Sequence, residues 1–422
     1  MPYYLSGANV GSTHSGPMRS SSAEGSLPKA TSAVFYVFGV VAVTPWNVLI
    51  LTLPYLLDEL GQSPLRLRLA SWMSTTFNVL VLVGLWITTQ QANSLRPTFS
   101  ITIAISALVV TLLALGTLPF WSLSPNALFS VAVVGSSPLA GSISLFRTPV
   151  IAVASAFGPE AIGSFFSGTA LVAVVISAGV FLAAYVSETD SQGRIGLFIS
   201  ILLSISVSLV SLIAYHVGIR SIQTFKEKFE SASLERDSER ERLLEAPRDV
   251  ELDRNEGVWG TTRRNWDYNL AQTMIGAVTL AVFPTVTTHA VPIDLDWTPL
   301  TFNAFHFLVF NLGDLAGRTL VLARRSPVPA SFLLVSISVP VLIALMFPFC
   351  LISSPGVIGD FGFLALVFTF GSITGHISSL GFVAVGRQKG SDGGNGTRVL
   401  QLWMFVGYTV GSVLSTWIER SL

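Results

Sequence analysis

Apolar residues along this chain gather into long runs, not into the period-3.6 stripes of helices that lie on a soluble core. A helix needs about 20 residues to cross the hydrocarbon of a bilayer. Runs that meet this length fall at 33–57, 70–90, 97–121, 128–154, 161–186 and 195–219. Five more follow at 268–291, 299–323, 327–353, 357–386 and 399–418. The expected fold class is therefore an all-α polytopic membrane protein with about 11 transmembrane helices in two bundles, six and five. Pro45, Pro54, Pro138, Pro149, Pro284, Pro340 and Pro348 lie inside these runs and predict kinked helices supported by their neighbours.

Two polar stretches divide the chain. Residues 1–32 are rich in Ser and Gly and lack the apolar content to fold, which predicts a disordered cytosolic tail. With such a start, the first apolar run is expected to stay as a membrane helix and not to be removed as a leader. Residues 220–267 contain FKEKFESASLERDSERERLLEAPRDVELDR, a mixed-charge solvated loop between the N-terminal bundle (33–219) and the C-terminal bundle (268–422). Within it Glu239, Leu243 and Leu244 form an acidic dileucine pattern, a candidate contact for a sorting adaptor. The expected location is the plasma membrane, with the vacuolar or lysosomal membrane as alternative.

Composition agrees: 51% of residues are hydrophobic, 11% are charged, and the mean hydropathy is +0.65. Soluble domains carry about 25% charged residues. Net charge is zero, which gives no bulk attraction to nucleic acid. The single cysteine, Cys350, can form no internal disulfide. The chain has no zinc or iron–sulfur spacing and no phosphate-binding glycine loop, so no cofactor is implied. The charge is nonetheless sided. With the N-terminus in the cytosol, 18 of the 24 Lys and Arg residues fall in cytosolic segments and four on the opposite side. The remaining two, Arg147 and Arg318, lie within helices. This bias obeys the positive-inside rule and places the C-terminus outside. The sequon Asn395-Gly396-Thr397 then falls in a cytosolic loop and is expected to stay bare.

Charges at bilayer depth cost at least ~2.5–3.5 kcal/mol each on insertion scales, so those present are informative. The eighth run reads TFNAFHFLVFNLGDLAGRTL. At 100° per residue, Asn303, Asn311, Asp314 and Arg318 share an arc of about 80°, and His306 widens it. Asp314 and Arg318 are four apart and can pair. They read as a substrate-facing ion pair or as a staple between helices. In the first run, Pro45-Trp46-Asn47 offers a bend, a flat aromatic face and a donor–acceptor amide. Trp46 lies mid-run, away from an interfacial belt. Arg147 in the fourth run is expected at a depth similar to Asp314 and Arg318, with snorkelling to the headgroups as the alternative. Small residues in rows (Gly163, Ser164, Ser167, Gly168; Gly371, Ser372, Gly375, Ser379; Gly407, Gly411, Ser415) predict close helix packing.

PWN (45–47), FFSGTALVAVV (165–175), LAVFPTVTTHA (280–290), FNLGDLAGR (310–318) and FGSITGHISSLG (370–381) together resemble the equilibrative nucleoside transporter family, over both halves of the chain. The resemblance implies eleven helices, an inside N-terminus, a long loop after helix 6 and a major-facilitator-like fold. It also implies nucleoside transport by alternating access, by facilitated diffusion or with protons. It implies a binding role for Trp46, Asp314 and Arg318; Asn47, Arg147 and Asn311 complete the candidate substrate site. His306 and His376 are the candidates for proton linkage. The chain departs from the family where Arg147 replaces a usual glutamine, where Ile343 lies near a frequent arginine, and where His376 replaces a frequent tyrosine. The alternative is a carrier of nucleobases, sugars or organic anions with the same architecture. An intramembrane enzyme is not expected, because no second aspartate sits centrally in another helix.

Overall fold

A computed structural model of the chain describes residues 29–91, 97–186, 192–221, 257–322, 328–352, 358–388 and 391–419. These are almost wholly helical, with no strand among them. The long helices are α1 (Lys29–Leu60), α2 (Arg66–Gln90), α3 (Pro97–Gly116), α4 (Pro125–Phe157), α5 (Pro159–Val186) and α6 (Gln192–Ser221). After the short helix Val258–Arg264 come α7 (Trp266–Val282), α8 (Pro299–Leu322), the two-part α9 (Ala330–Ser336 and Ser338–Ile352), α10 (Gly359–Gly386) and α11 (Ser391–Glu419). Residues 1–28 of the expected tail and 222–256 of the charged loop, including Glu239, Leu243 and Leu244, lie outside the described residues.

Ten of the described helical spans are long and apolar enough to cross a membrane. The eleventh expected helix, α8, has the length, 24 residues. It falls short on apolarity because it carries the polar stripe of Asn303, His306, Asn311, Asp314 and Arg318. Exposed tryptophans lie near both ends of the helices: Trp72, Trp121 and Trp417 toward one face, Trp86, Trp259 and Trp266 toward the other. Amphipathic rings favour such positions at headgroup depth.

Helix ends follow local chemistry. Ser124 caps α4 by accepting the Ala127 N–H, and Pro125 occupies the first turn, where its missing N–H costs nothing. Gly158, at φ +98°, ends α4, and Pro159 begins α5 at once. Most expected boundaries move by a few residues, and three differences have a clear local cause. The seventh helix stops at Val282 instead of continuing to 291, because Pro284 cannot extend it; a 3-10 turn, Thr287–His289, follows. The ninth is broken at Ile337, where Pro340 has no N–H to donate to Ser336. The eleventh begins at Ser391, not 399, so the sequon Asn395-Gly396-Thr397 is helical and not in a loop, with Thr397 fully buried. The glycines at 393, 394 and 396 lower the apolarity of this turn while letting it pack tightly. A Cβ on Gly396 would meet Val385.

Helices α1–α6 pack mainly among themselves, as do α7–α11. The halves meet where α8 lies along α5 and where α11 lies along α2 and α4. Polar side chains tie both seams. Asn311 donates to Ala173 O at 3.3 Å and to Ser177 Oγ at 3.2 Å. Asn78 donates to Ser412 Oγ at 3.1 Å.

Candidate functional site

Between the halves lies a cavity of about 1100 Å³. Trp46, Asn47, Arg147, Asn311, Asp314 and Arg318, from α1, α4 and α8, all line it. Its wall reaches Asp58 in the last turn of α1, Arg66 at the start of α2, Tyr185 at the end of α5, and Asp296 and Trp297 before α8. The cavity thus extends to the face that bears the α1–α2 and α7–α8 connections. Toward the opposite face it is closed by close packing. Phe166 and Phe382 lie with ring centroids 4.5 Å apart, and the Ser155 hydroxyl approaches the Gly386 carbonyl at 3.5 Å. A Cβ on Gly163 would meet Leu322, and one on Gly386 would meet Ile162.

The charged groups sit deep, next to this closed end. Arg318 Nε donates to Asp314 Oδ2 at 2.7 Å, and the two side chains are 14% and 13% exposed. The Arg318 guanidinium also lies 5.6 Å from the centroid of Phe166, the ring that packs at a tilt against Phe382. Arg147 is buried, 5% exposed, with its guanidinium 5.9 Å from the Phe165 centroid and 5.4 Å from that of Phe405. Its Nε has no hydrogen-bond partner among the described residues. Arg147 therefore lines the cavity and does not snorkel to the headgroups. Asp314 is held from behind by α10, where Gly375 has no side chain to displace its carboxylate.

Trp46 lines the cavity while packing on Phe77, centroids 5.4 Å apart. Asn47 donates to Val43 O at 3.1 Å, one turn back, and leaves its carbonyl oxygen for the cavity side. Asn311 lines the cavity and spans to α5 at the same time. The two histidines do not line the cavity. His306 is fully buried, its Nε2 3.2 Å from Thr287 Oγ1, among Phe283, Phe302, Phe307 and Phe363. His376 Nδ1 lies 2.9 Å from Gly317 O, across the α8–α10 contact.

Sequence reasoning missed Tyr408 of α11 and Phe166 of α5, both in the cavity wall. A lone polar aromatic among the small residues Gly407 and Gly411 is the signal that marks Tyr408. It also missed Asp360. That buried carboxylate accepts the N–H groups of Ile293, Asp294 and Leu295 at 2.8–3.0 Å and fastens the segment after α7 to the start of α10. Among the described residues no cluster of His, Cys, Asp and Glu could hold a metal ion.

Comparison with known proteins matches these features to one family. The family model for nucleoside transporters matches residues 130–420. Among solved structures, the proton:xylose symporter XylE of the major facilitator superfamily, bound to 6-bromo-6-deoxy-D-glucose, is similar. It has a TM-score of 0.59 at 10% identity, with 93% of this chain and 86% of that one covered. A bacterial homologue of the human drug peptide transporters PepT1 and PepT2 aligns with a TM-score of 0.40 at 12% identity, covering 93% of this chain and 98% of that one. No curated protein matches the sequence. The likeness to XylE shows the fold alone: a multi-helix bundle of the major-facilitator type. The match from within α4 to the end of α11 shows the rest, and the chain belongs to the nucleoside transporter family.

Proposed function

We propose that the chain carries nucleosides through this cavity by alternating access, with the N-terminal bundle (33–219) and the C-terminal bundle (268–422) rocking about it. The observation that carries the reading is that all six candidate residues, spread over three helices, line a single cavity that is closed toward one face. The ribose hydroxyls meet Asp314 and Arg318: the carboxylate accepts and the guanidinium donates. The base lies against Trp46, with Asn47 or Arg147 at its edge and Asn311 nearby. Aromatic and aliphatic lining broken by a few charged and amide groups suits a flat heterocycle tethered to a polar sugar. No enzymatic activity and no cofactor are assigned.

His306 and His376 are assigned no direct contact with substrate. A proton link through them is tested by imposing a pH gradient across liposomes. The reading expects nucleoside alone to drive uptake, and accumulation that requires the gradient would favour the proton-linked form.

The N-terminus is cytosolic on this reading, which the charge bias supports. An N-terminal epitope should be protected from antibody in intact cells and labelled after permeabilisation. If Glu239, Leu243 and Leu244 engage a sorting adaptor, changing both leucines to Ala should relocate the protein between plasma membrane and vacuole or lysosome. Unaltered location would remove the sorting idea.

The decisive test is uptake of radiolabelled uridine and adenosine in a cell deficient in nucleoside transport. Saturable uptake of either, blocked by excess unlabelled nucleoside but not by ribose or a free nucleobase, is the expected result. Uptake blocked equally well by a sugar or a nucleobase would assign the cavity to those solutes instead.

A further inference from the structure

The cavity floor carries an unbalanced cation. Among the described residues three acids line the cavity: Asp58 and Asp296 stand at the mouth, and Asp314 lies deep. Asp314 is already bonded to Arg318. Arg147 is flanked by two phenyl rings, and its buried Nε has no hydrogen-bond partner among the described residues. A buried guanidinium offers five N–H donors and no acceptor. Arg147 and Arg318 lie over the adjacent rings Phe165 and Phe166, both line the cavity beside Tyr408, and Arg147 feels the charge of Arg318. A solute whose sugar engages the Asp314–Arg318 pair therefore brings its base edge to a donor-only group.

Base edges differ in what they present. The edge of a 6-oxopurine carries two adjacent acceptors, O6 and N7, and accepts a bidentate guanidinium. The same edge of a 6-aminopurine carries the N6 amino donor beside N7, so an arginine there meets one acceptor and one opposing donor. An amide side chain fits the 6-aminopurine instead, since it both donates and accepts. We infer that Arg147 makes this carrier selective for 6-oxopurine nucleosides, such as inosine and guanosine, over adenosine. The inference rests on the nucleoside reading above and names the class of base within it.

The test uses the full chain, purified and reconstituted in liposomes, with labelled inosine, adenosine and uridine. Inosine is expected to be carried at least about tenfold better than adenosine by kcat/KM, a difference of about 1.4 kcal/mol. Arg147→Gln should erase or reverse that ratio, and Arg147→Lys should weaken it, because ammonium lacks the planar fork. Adenosine carried as well as inosine by the unaltered protein, or a ratio unmoved by Arg147→Gln, overturns the inference. Ligand-induced thermal stabilisation of the unaltered protein gives a readout that needs no variant. Inosine should raise the midpoint at lower concentration than adenosine, and equal effects overturn the inference as well. Uridine and adenosine uptake without a preference for inosine would leave the nucleoside reading standing and remove only this one. Uptake of none of the three removes both.

Discussion

Asp314 and Arg318 are close enough, at 2.7 Å, for each to compensate the other inside the bundle. Asp314→Asn leaves Arg318 in a cavity with a second buried cation, Arg147, and no deep carboxylate among the described residues. Stranding one partner of a buried pair costs roughly 3–5 kcal/mol in soluble proteins. Nucleoside uptake should be abolished while the protein still reaches the membrane, measured as transport beside surface labelling. Arg318→Lys keeps the charge and loses the fork of donors, so uptake should fall but exceed that of Asp314→Asn. Normal uptake by Asp314→Asn would remove the binding role. His306 makes a different case. Its bond to Thr287 holds α8 to the turn after α7, away from the cavity. His306→Ala removes the bond to Thr287, whose hydroxyl keeps its own bond to the Pro284 carbonyl at 2.9 Å, and leaves a void among the surrounding phenyl rings. Thermal stability should drop while the ranking of substrates is kept. Much of this site was legible in sequence because helical arithmetic is local: 100° per residue put Asn303, Asn311, Asp314 and Arg318 on one side, and all four line the cavity. His306, 60° further round, falls instead among phenyl rings. Tyr408 and Phe166 could not be read this way, because their neighbours belong to other helices and only the packing brings them in.

Elements pack here through absent side chains. Across α1 and α5, a Cβ on Gly39 would strike the Phe165 carbonyl, and one on Gly168 that of Tyr36. Gly313 and Gly317 of α8 face the carbonyls of Phe368 and Ser372 on α10, while Gly371 and Gly375 return the contact to Phe310 and Asp314. Gly407 and Gly411 of α11 face the carbonyls of Thr273 and Ala277 on α7. Such approaches of backbone to backbone are what rows of small residues permit, and here each joins helices within one half. Gly317→Val should therefore force α8 from α10, lower the unfolding temperature in detergent and end uptake. Gly141, with open space where its Cβ would go, is the control: Gly141→Ala should retain both. The rows were visible in the sequence, but their partners were not, since spacing names a face without naming the helix it meets. The ends that Pro125 and Gly158 set lie about three residues outside the expected run of 128–154, because the flanking turns are less apolar than the span. Other ends were misread where an apolar run passes through Pro284 or where the polar glycines of 393–396 are helical.

At the scale of the whole molecule, the ion pair and the closed face are physically joined. Arg318 lies against Phe166, and Phe166 lies against Phe382 of α10. A ligand that draws Arg318 toward itself acts directly on the aromatic contact that seals this side. Alternating access requires that seal to part, because substrate admitted from the mouth can leave only when the opposite face opens. Holding it shut should stop transport without touching the site. Ser155 and Gly386 face each other across the seal from α4 and α10, with the hydroxyl 3.5 Å from the carbonyl. In a Cys350→Ser background, cysteines at both positions should cross-link on mild oxidation, a bond that suits closely apposed backbones. Transport across liposomes should then cease and return on reduction, while nucleoside still stabilises the oxidised protein against heat, since the cavity stays open at its mouth. Each single cysteine should transport normally under both conditions. Continued transport by the cross-linked protein would mean that the two halves need not separate here, and the rocking of the bundles about the cavity would have to be abandoned.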